Sequence, residues 1–347
     1  MSQNIALVAG ASGIIGRGLI DALGAAPGWR VRALGRRAVS GVETITADLL
    51  DRASLAGALA AASDTTHLFY AAYLPQPSLE REVEVNGAML DALLDGLAET
   101  GTRLRRVVLY QGAKVYGVHL GPVVAPFYED DPRHLPPNFY YTHEDRLRRG
   151  VESGAFEFTL LRPDVVVGDA VGNPMNIATV IGAYAAICRA TGTPFRFPGP
   201  EHVYRGVLAQ LTDARLLGRA SLWAADTPQA SGEAFNYVHE PFRWERLWTR
   251  IAAALDLPVG PPMPMRLADH MPAHGPLWQR IVSEHGLVPT ALDRLVGWKF
   301  GDFVFNTGFD MVSDMGKIRR AGFTETTDNV EAVLGAIRRL EAQRILP

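Results

Sequence analysis

"NIALVAGASGIIG", residues 4–16, decides the fold. Its first half, residues 4–10, is a short apolar run that stops at glycine, the pattern of a parallel strand buried on both faces. The second half carries Gly10, Gly13 and Gly16 and runs into "IIGRGLIDALGAA" (14–26), which follows helical spacing. Glycines at such a junction allow a tight turn, a close approach of backbone to a pyrophosphate, and close packing of helix on strand. The helix start then offers free N–H groups to the anion. Ser12, Ile14 and Ile15 complete this candidate cradle. The G-x-x-G-x-x-G spacing differs from the G-x-G-x-x-G of many dehydrogenases, and its position between strand and helix is what makes it informative. The alternative is a glycine-rich turn without a ligand.

Outward from this junction the rhythm repeats. Residues 29–35, 41–47, 66–73, 105–112 and 156–163 read as strands. Residues 80–100, with Val83, Val85, Met89, Leu90, Leu93 and Leu97, fit one amphipathic helix, and another opens with "NFYYTHEDRLRRGVES" (138–153). Such alternation predicts an α/β protein with a Rossmann-type, doubly wound parallel sheet. After Pro163 glycine and proline become denser and helices predominate, at 209–223, 243–256 and 328–343. Trp244 and Trp248, four apart, read as packing. The expected division is a dinucleotide-binding Rossmann domain over 1–170, to which later segments return, and a mostly helical substrate-binding cap over 171–347.

The chain has 347 residues, 48% hydrophobic and 20% charged, with a net charge of −3, which argues against nucleic acid or an anionic membrane as partner. The basic runs "TRLRR" (102–106) and "RLRRG" (146–150) read as solvated edges. The single cysteine, Cys188, builds neither a disulfide framework nor a zinc site, and no H-E-x-x-H spacing occurs, so no metal is expected. No G-x-S-x-G elbow is present. The longest apolar run, 175–188, is too short to span a bilayer, and a core strand begins too early for a signal peptide. A cytoplasmic location is expected.

The second strand ends "ALGRRAV", with Arg36 and Arg37 where an NAD-selective site usually places an acid. Paired guanidinium groups suit a 2′-phosphate, so NADPH/NADP+ is the expected cofactor; the alternative is a pair of surface arginines. Asp48, after the third strand, either reaches the adenine edge or caps the next helix.

"NFYYTHED" (138–145) resembles a reductase's catalytic tyrosine segment, yet the lysine usual four residues on is missing: Tyr140 leads to Glu144 and Tyr141 to Asp145. These two acids are expected in the helix's first turn, serving its dipole. Asn138 is a candidate cap, and Phe139 and Tyr141 read as packing or pocket wall. A lysine stands instead in "QGAKVYG" after the fifth strand, as Lys114; taken alone it could be a solvated loop residue.

Together "GASGIIG", "GRR", "THLFY", "GAKVYG", "NFYYTHED", "YAAIC" and "FNYVHEPFRWERLW" resemble the progesterone 5β-reductase/iridoid synthase-like enzymes, from about residue 4 to the C-terminus. The resemblance implies an extended short-chain dehydrogenase fold and NADPH-dependent 1,4-reduction of enones. It implies Tyr140 and Lys114 as the catalytic pair, both also touching the cofactor, with "RPDVVVG" (162–168), including Val165, along the nicotinamide. In such a reaction hydride reaches the β-carbon and charge builds on the carbonyl oxygen, where a phenol close to an ammonium can stabilise it. The ammonium is expected to lower the phenol's pKa. A small apolar α,β-unsaturated carbonyl compound is the expected substrate, with Tyr116, Phe139, Met175, Trp298 and "PPMPMRLADHM" (261–271) as candidate walls. The competing readings are a 1,2-carbonyl reductase and a non-catalytic NADPH-sensing regulator. A homodimer is a mild expectation for the extended class.

Overall fold

The computed structural model describes residues 3–347. Six strands, β1 (Asn4–Ala9), β2 (Trp29–Gly35), β3 (Glu43–Thr46), β4 (His67–Tyr70), β5 (Arg106–Tyr110) and β6 (Glu157–Arg162), alternate with helices. Those helices are α1 (Ile14–Ala25), α2 (Arg52–Leu59), α3 (Leu79–Glu99) and α4 (Phe139–Glu152). A seventh strand, Ala234–Asn236, returns from the second half to pair with β6. The order is β3-β2-β1-β4-β5-β6 and then Ala234–Asn236, with every neighbour parallel. It reverses between β1 and β4, which opens the crevice where doubly wound sheets bind ligands.

β1 shows why these strands read as unbroken apolar runs. Ala6 and Val8 pack with Leu19 and Leu23 of α1 and Leu217 of the helix Ala214–Asp226. Leu7 and Ala9 point to the opposite face, among Leu59 of α2 and Leu90 and Leu93 of α3. Both faces are covered, so polar alternation would bury unpaired groups. Each fully buried leucine contributes about 1.5–3 kcal/mol. The helix expected at 209–223 begins at Ala214 because Asp213 caps it, accepting from Arg215 N at 2.8 Å and Leu216 N at 3.1 Å. One basic run departs from the solvated reading: Arg106 is buried, and its guanidinium donates to the carbonyls of Ala224 and Thr227, both at 2.7 Å.

α1 and the helix Ala214–Asp226 touch backbone to backbone. A Cβ on Gly18 would lie 2.1 Å from the Ala214 carbonyl oxygen, and one on Gly218 would lie 2.3 Å from that of Gly18. Backbone cannot swing aside as a side chain can, so Gly18→Ala is expected to cost roughly 1–3 kcal/mol. A fall in the urea unfolding midpoint at unchanged m-value would register it.

A second core fills the C-terminal half. In α5 (Ile177–Thr191) every residue from Ile177 to Cys188 is buried, as in a helix surrounded on all sides. Trp244 and Trp248 are buried with it; Trp248 stacks on Phe195 at 4.2 Å and donates its indole N–H to the Phe195 carbonyl at 3.2 Å. Among the described residues no helix is long and apolar enough to cross a membrane.

Candidate active site

The glycine turn sits at the carboxyl end of β1. Gly10 has φ +79°, and a Cβ there would lie 2.5 Å from the Ala71 carbonyl oxygen, so only glycine fits. Gly16 is as tight, with its Cβ position 2.4 Å from the Gly10 oxygen. Gly13 is the N-cap of α1; no side chain caps the first-turn N–H groups and no acid stands there. That leaves the positive helix end to an anion, as a dinucleotide pyrophosphate requires. Ser12 is exposed on the turn and Ile15 half-buried, whereas Ile14 packs its side chain against Ala170 and Ala214.

Arg36 and Arg37 lie exposed just after β2, and neither forms an ion pair among the described residues. Their guanidinium groups fit an added phosphate at the ribose end of a dinucleotide. Asp48 does not cap α2. Its carboxylate accepts from Leu50 N at 3.0 Å in a local turn, and Asp51 is the cap, accepting from Ala53 and Ser54, both at 3.1 Å.

Tyr140 opens the other side of the crevice. Asn138 caps α4 by accepting from Tyr140 N at 3.0 Å, and its amide donates to the Lys114 carbonyl at 2.8 Å. One residue thereby fixes the tyrosine helix to the 3-10 turn Ala113–Tyr116 that carries Lys114. Tyr141 is structural: its hydroxyl accepts from His134 N and donates to the Val115 carbonyl, both at 2.9 Å. Tyr140 is half-buried, with its hydroxyl hydrogen-bonded to the Gly112 backbone. A Cβ at position 112 would sit 2.9 Å from that hydroxyl, so glycine there makes room for the phenol.

Glu144, expected in the first turn of α4, lies a turn further on and is buried. It faces Arg148 at 2.6 Å, Arg133 at 3.5 Å and Arg162 at 3.8 Å. Burial pushes its carboxyl up, but Arg148 and the other two arginines win and hold it below the usual range. Gln111 joins this network, accepting from Arg162 Nε at 2.9 Å and donating to the Tyr140 carbonyl at 3.2 Å. The position where ordinary relatives carry lysine is therefore the anionic centre of a structural cluster.

Lys114 comes near the site from the other direction, but its ammonium is held 3.3 Å and 3.5 Å from the two carboxylate oxygens of Glu82. The hydroxyl of Tyr73 donates to the same carboxylate. Tyr73 stacks on Phe139 at 5.3 Å, and Phe139 lies 4.1 Å from Tyr140. The expectation that an ammonium lowers the Tyr140 pKa does not hold. Burial pushes the phenol up to about 12 against the Gly112 hydrogen bond, and the negative charges of Glu82 and Asp164 add to the rise. Burial is the main cause, so Tyr140 is a protonated donor at neutral pH.

β6 ends at the same crevice. Val165 has φ +36°, a strained conformation for a β-branched residue, and its N–H donates to the Asp164 carboxylate at 3.0 Å. Asp164 lines a cleft with Val207, Trp244, Phe303, Phe309 and Met311. Of the expected walls Phe139 stays beside Tyr140, whereas Tyr116 is buried in a hydrogen bond to Asn236, Trp298 is in the cap core, and Met175 is exposed. Burial pushes the Asp164 carboxyl up from 3.8 to about 6, opposed only by the Val165 N–H. A carboxyl raised on folding favours the fold fully below about 3.8 and loses that contribution as pH rises through about 6. Asp164→Asn is therefore expected to raise the melting temperature at about pH 8 and leave it unchanged near pH 3.5. Paired thermal melts at the two pH values check this.

Sequence reasoning missed Tyr73 and Glu82, and included Asp164 only within the run 162–168 without a role of its own. Glu82 and Asn86 did leave a signal, two polar residues four apart on the buried stripe of α3.

A family model described as a PRISE-like Rossmann-fold domain matches residues 36–347. An (S)-8-oxocitronellyl enol synthase of Camptotheca acuminata is 32% identical, over 99% of this chain and 94% of its own length. A 3-oxo-Δ4,5-steroid 5β-reductase of Arabidopsis thaliana is 29% identical with the same coverage, 99% and 94%. Among solved structures, a short-chain dehydrogenase/reductase superfamily protein from Agrobacterium tumefaciens with bound NAD superposes with a TM-score of 0.66. It covers 99% of this chain and 98% of its own, and at 20% identity that likeness speaks for the fold. A parallel seven-stranded sheet, a glycine turn at its switch point and a full-length family match converge: the chain belongs to the PRISE-like Rossmann-fold family, on the short-chain dehydrogenase/reductase fold.

Proposed function

We propose that this chain is an NADPH-dependent enone reductase, in which Tyr140 hydrogen-bonds the carbonyl oxygen of an α,β-unsaturated substrate as it gains enolate charge. The observation that carries this reading is geometric: Asn138 ties the helix of Tyr140 to the Lys114 turn, and Gly112 leaves room for the Tyr140 hydroxyl beside the end of β5, where burial pushes the phenol up to about 12. A donor and not a base is what an enolate oxygen needs, because the hydrogen bond strengthens as charge develops. The relatives' names support it, since a 3-oxo-Δ4,5-steroid holds a C=C bond conjugated to its carbonyl.

When bound, the dinucleotide supplies the hydride. Gly10, Ser12, Gly13, Ile14, Ile15 and Gly16 would hold its pyrophosphate by backbone N–H groups, and Arg36 and Arg37 its 2′-phosphate. In this reading Asp48 would face the adenine end and Val165 the nicotinamide, with Tyr140 and Lys114 at the reacting end. Residues 1–170 form the dinucleotide domain in this reading. Residues 171–347 cover the substrate, except for segments such as Ala214–Asp226 and Ala234–Asn236 that rejoin the sheet.

The test is NADPH consumption with a small cyclic enone and, in parallel, its saturated ketone. Turnover of the enone alone, with the saturated ketone as product, is the expected result. Consumption of the ketone, or an allylic alcohol from the enone, makes the protein a carbonyl reductase.

A further inference from the structure

We propose that Glu82 is a positioning residue for this reaction: its buried carboxylate holds the Lys114 ammonium in place, balances its charge, and fixes the lysine turn beside the helix that carries Tyr140. This role rests on Tyr140 being the enolate's donor, and the measurements below read Lys114 and Tyr140 directly, without turnover.

Glu82 is 6% exposed on α3 and meets Lys114 at 3.3 Å while accepting from Tyr73. Asn86, one turn on and fully buried, secures that arrangement. Its amide donates to the carbonyls of Glu82 and Leu74, both at 3.0 Å, and accepts from Leu74 N at 2.9 Å, pinning the segment that carries Tyr73 onto α3. The Lys114 backbone is tied to Asn138 and so to the helix of Tyr140. Glu82 thus joins three elements at one point. A buried carboxylate stripped of its cation would be costly, which keeps the ammonium on station.

The charges around Tyr140 agree. Glu82 and Asp164 both act to raise it, and Tyr73 feels it in turn. Beyond Lys114 lies His119, whose imidazole is pushed down by burial and then by Lys114, so it adds no second cation. The choice of lysine also fits. Of 34 basic residues only Lys114, Lys299 and Lys317 are lysine. An ammonium has three rotatable donors and can face Glu82 while one remains free, whereas an arginine fork would lock onto the carboxylate.

With three lysines, reductive 13C-dimethylation gives few NMR signals, and Lys114→Arg identifies the one from Lys114. In the unchanged protein Lys114 is expected to show two distinct methyl resonances, the mark of a held ammonium, while exposed Lys299 shows one. In Glu82→Gln, which keeps the shape and removes the charge, the pair is expected to collapse to a single signal. In the same variant the Tyr140 phenol is expected to ionise about one unit lower. At about pH 11 this appears as tyrosinate absorbance in Glu82→Gln in excess of the parent's, an excess that Tyr140→Phe abolishes in the variant background. Glu82→Asp, which restores the charge, is expected to return that absorbance to the parent's level. Unchanged Lys114 signals in Glu82→Gln, or unchanged Tyr140 ionisation, overturn the role. Should Glu82→Gln fail to fold, the parent spectrum decides alone: a single averaged Lys114 resonance overturns it.

Discussion

Tyr140→Phe is expected to lower kcat with a cyclic enone by about 10²–10³-fold and to leave cofactor affinity within about twofold, the loss typical of removing one oxyanion donor. The substitution deletes only the hydroxyl. The ring, which lies 4.1 Å from Phe139, remains, and Asn138 still caps α4 through the backbone of residue 140. The hydroxyl's protein contact is the Gly112 backbone, so its removal leaves no buried side chain without a partner. A loss confined to kcat, with KM and fluorescence-titrated cofactor Kd nearly constant, identifies an interaction made in the transition state. Equal damage to Kd would instead make Tyr140 a cofactor anchor. A pH profile sharpens the point. With the phenol at about 12, the rate is expected to show no basic limb from Tyr140 between about pH 7 and 10, whereas an activated phenolate would impose one there.

The second large effect is on cofactor choice. Replacing both Arg36 and Arg37 with alanine is expected to weaken NADPH about 10- to 100-fold while changing NADH by less than about threefold. Charge-assisted hydrogen bonds contribute roughly 1.5–3 kcal/mol each, and exposure of both side chains puts the pair toward the lower end. Neither arginine is committed to an ion pair among the described residues, so the fold loses nothing measurable with them. Parallel titrations of the two cofactors at fixed ionic strength give the ratio. Equal weakening of both would place the arginines on the pyrophosphate, and no change would return them to the surface.

The fold was legible because its local signals agree: strand runs, a glycine turn where Gly10 and Gly16 leave no room for a Cβ, and helices whose apolar faces recur. The cap of α4 was legible for the same reason, since Asn138 needs only its neighbours. What escaped is the set of contacts made across the sequence. Lys114 and Glu82 are 32 positions apart, and the carboxylate that cancels the lysine's charge comes from a helix that periodicity alone describes as apolar packing. Glu144 was misplaced likewise. Its position one turn after Tyr140 suggested an acid serving the helix dipole, whereas Arg133, Arg148 and Arg162 converge on it from α4, β6 and a preceding loop. The cleft lining escaped for a third reason. Residues 303–311 reach Asp164 only through the folding of the cap, and no short-range pattern encodes that approach.

The central claim is where the hydride lands, and isotope transfer reads it most directly. With NADPH deuterated at the transferred position of C4 and a cyclic enone, the account predicts a saturated ketone carrying deuterium at the β-carbon and none at the carbonyl carbon. Deuterium on the carbonyl carbon of an allylic alcohol would contradict it.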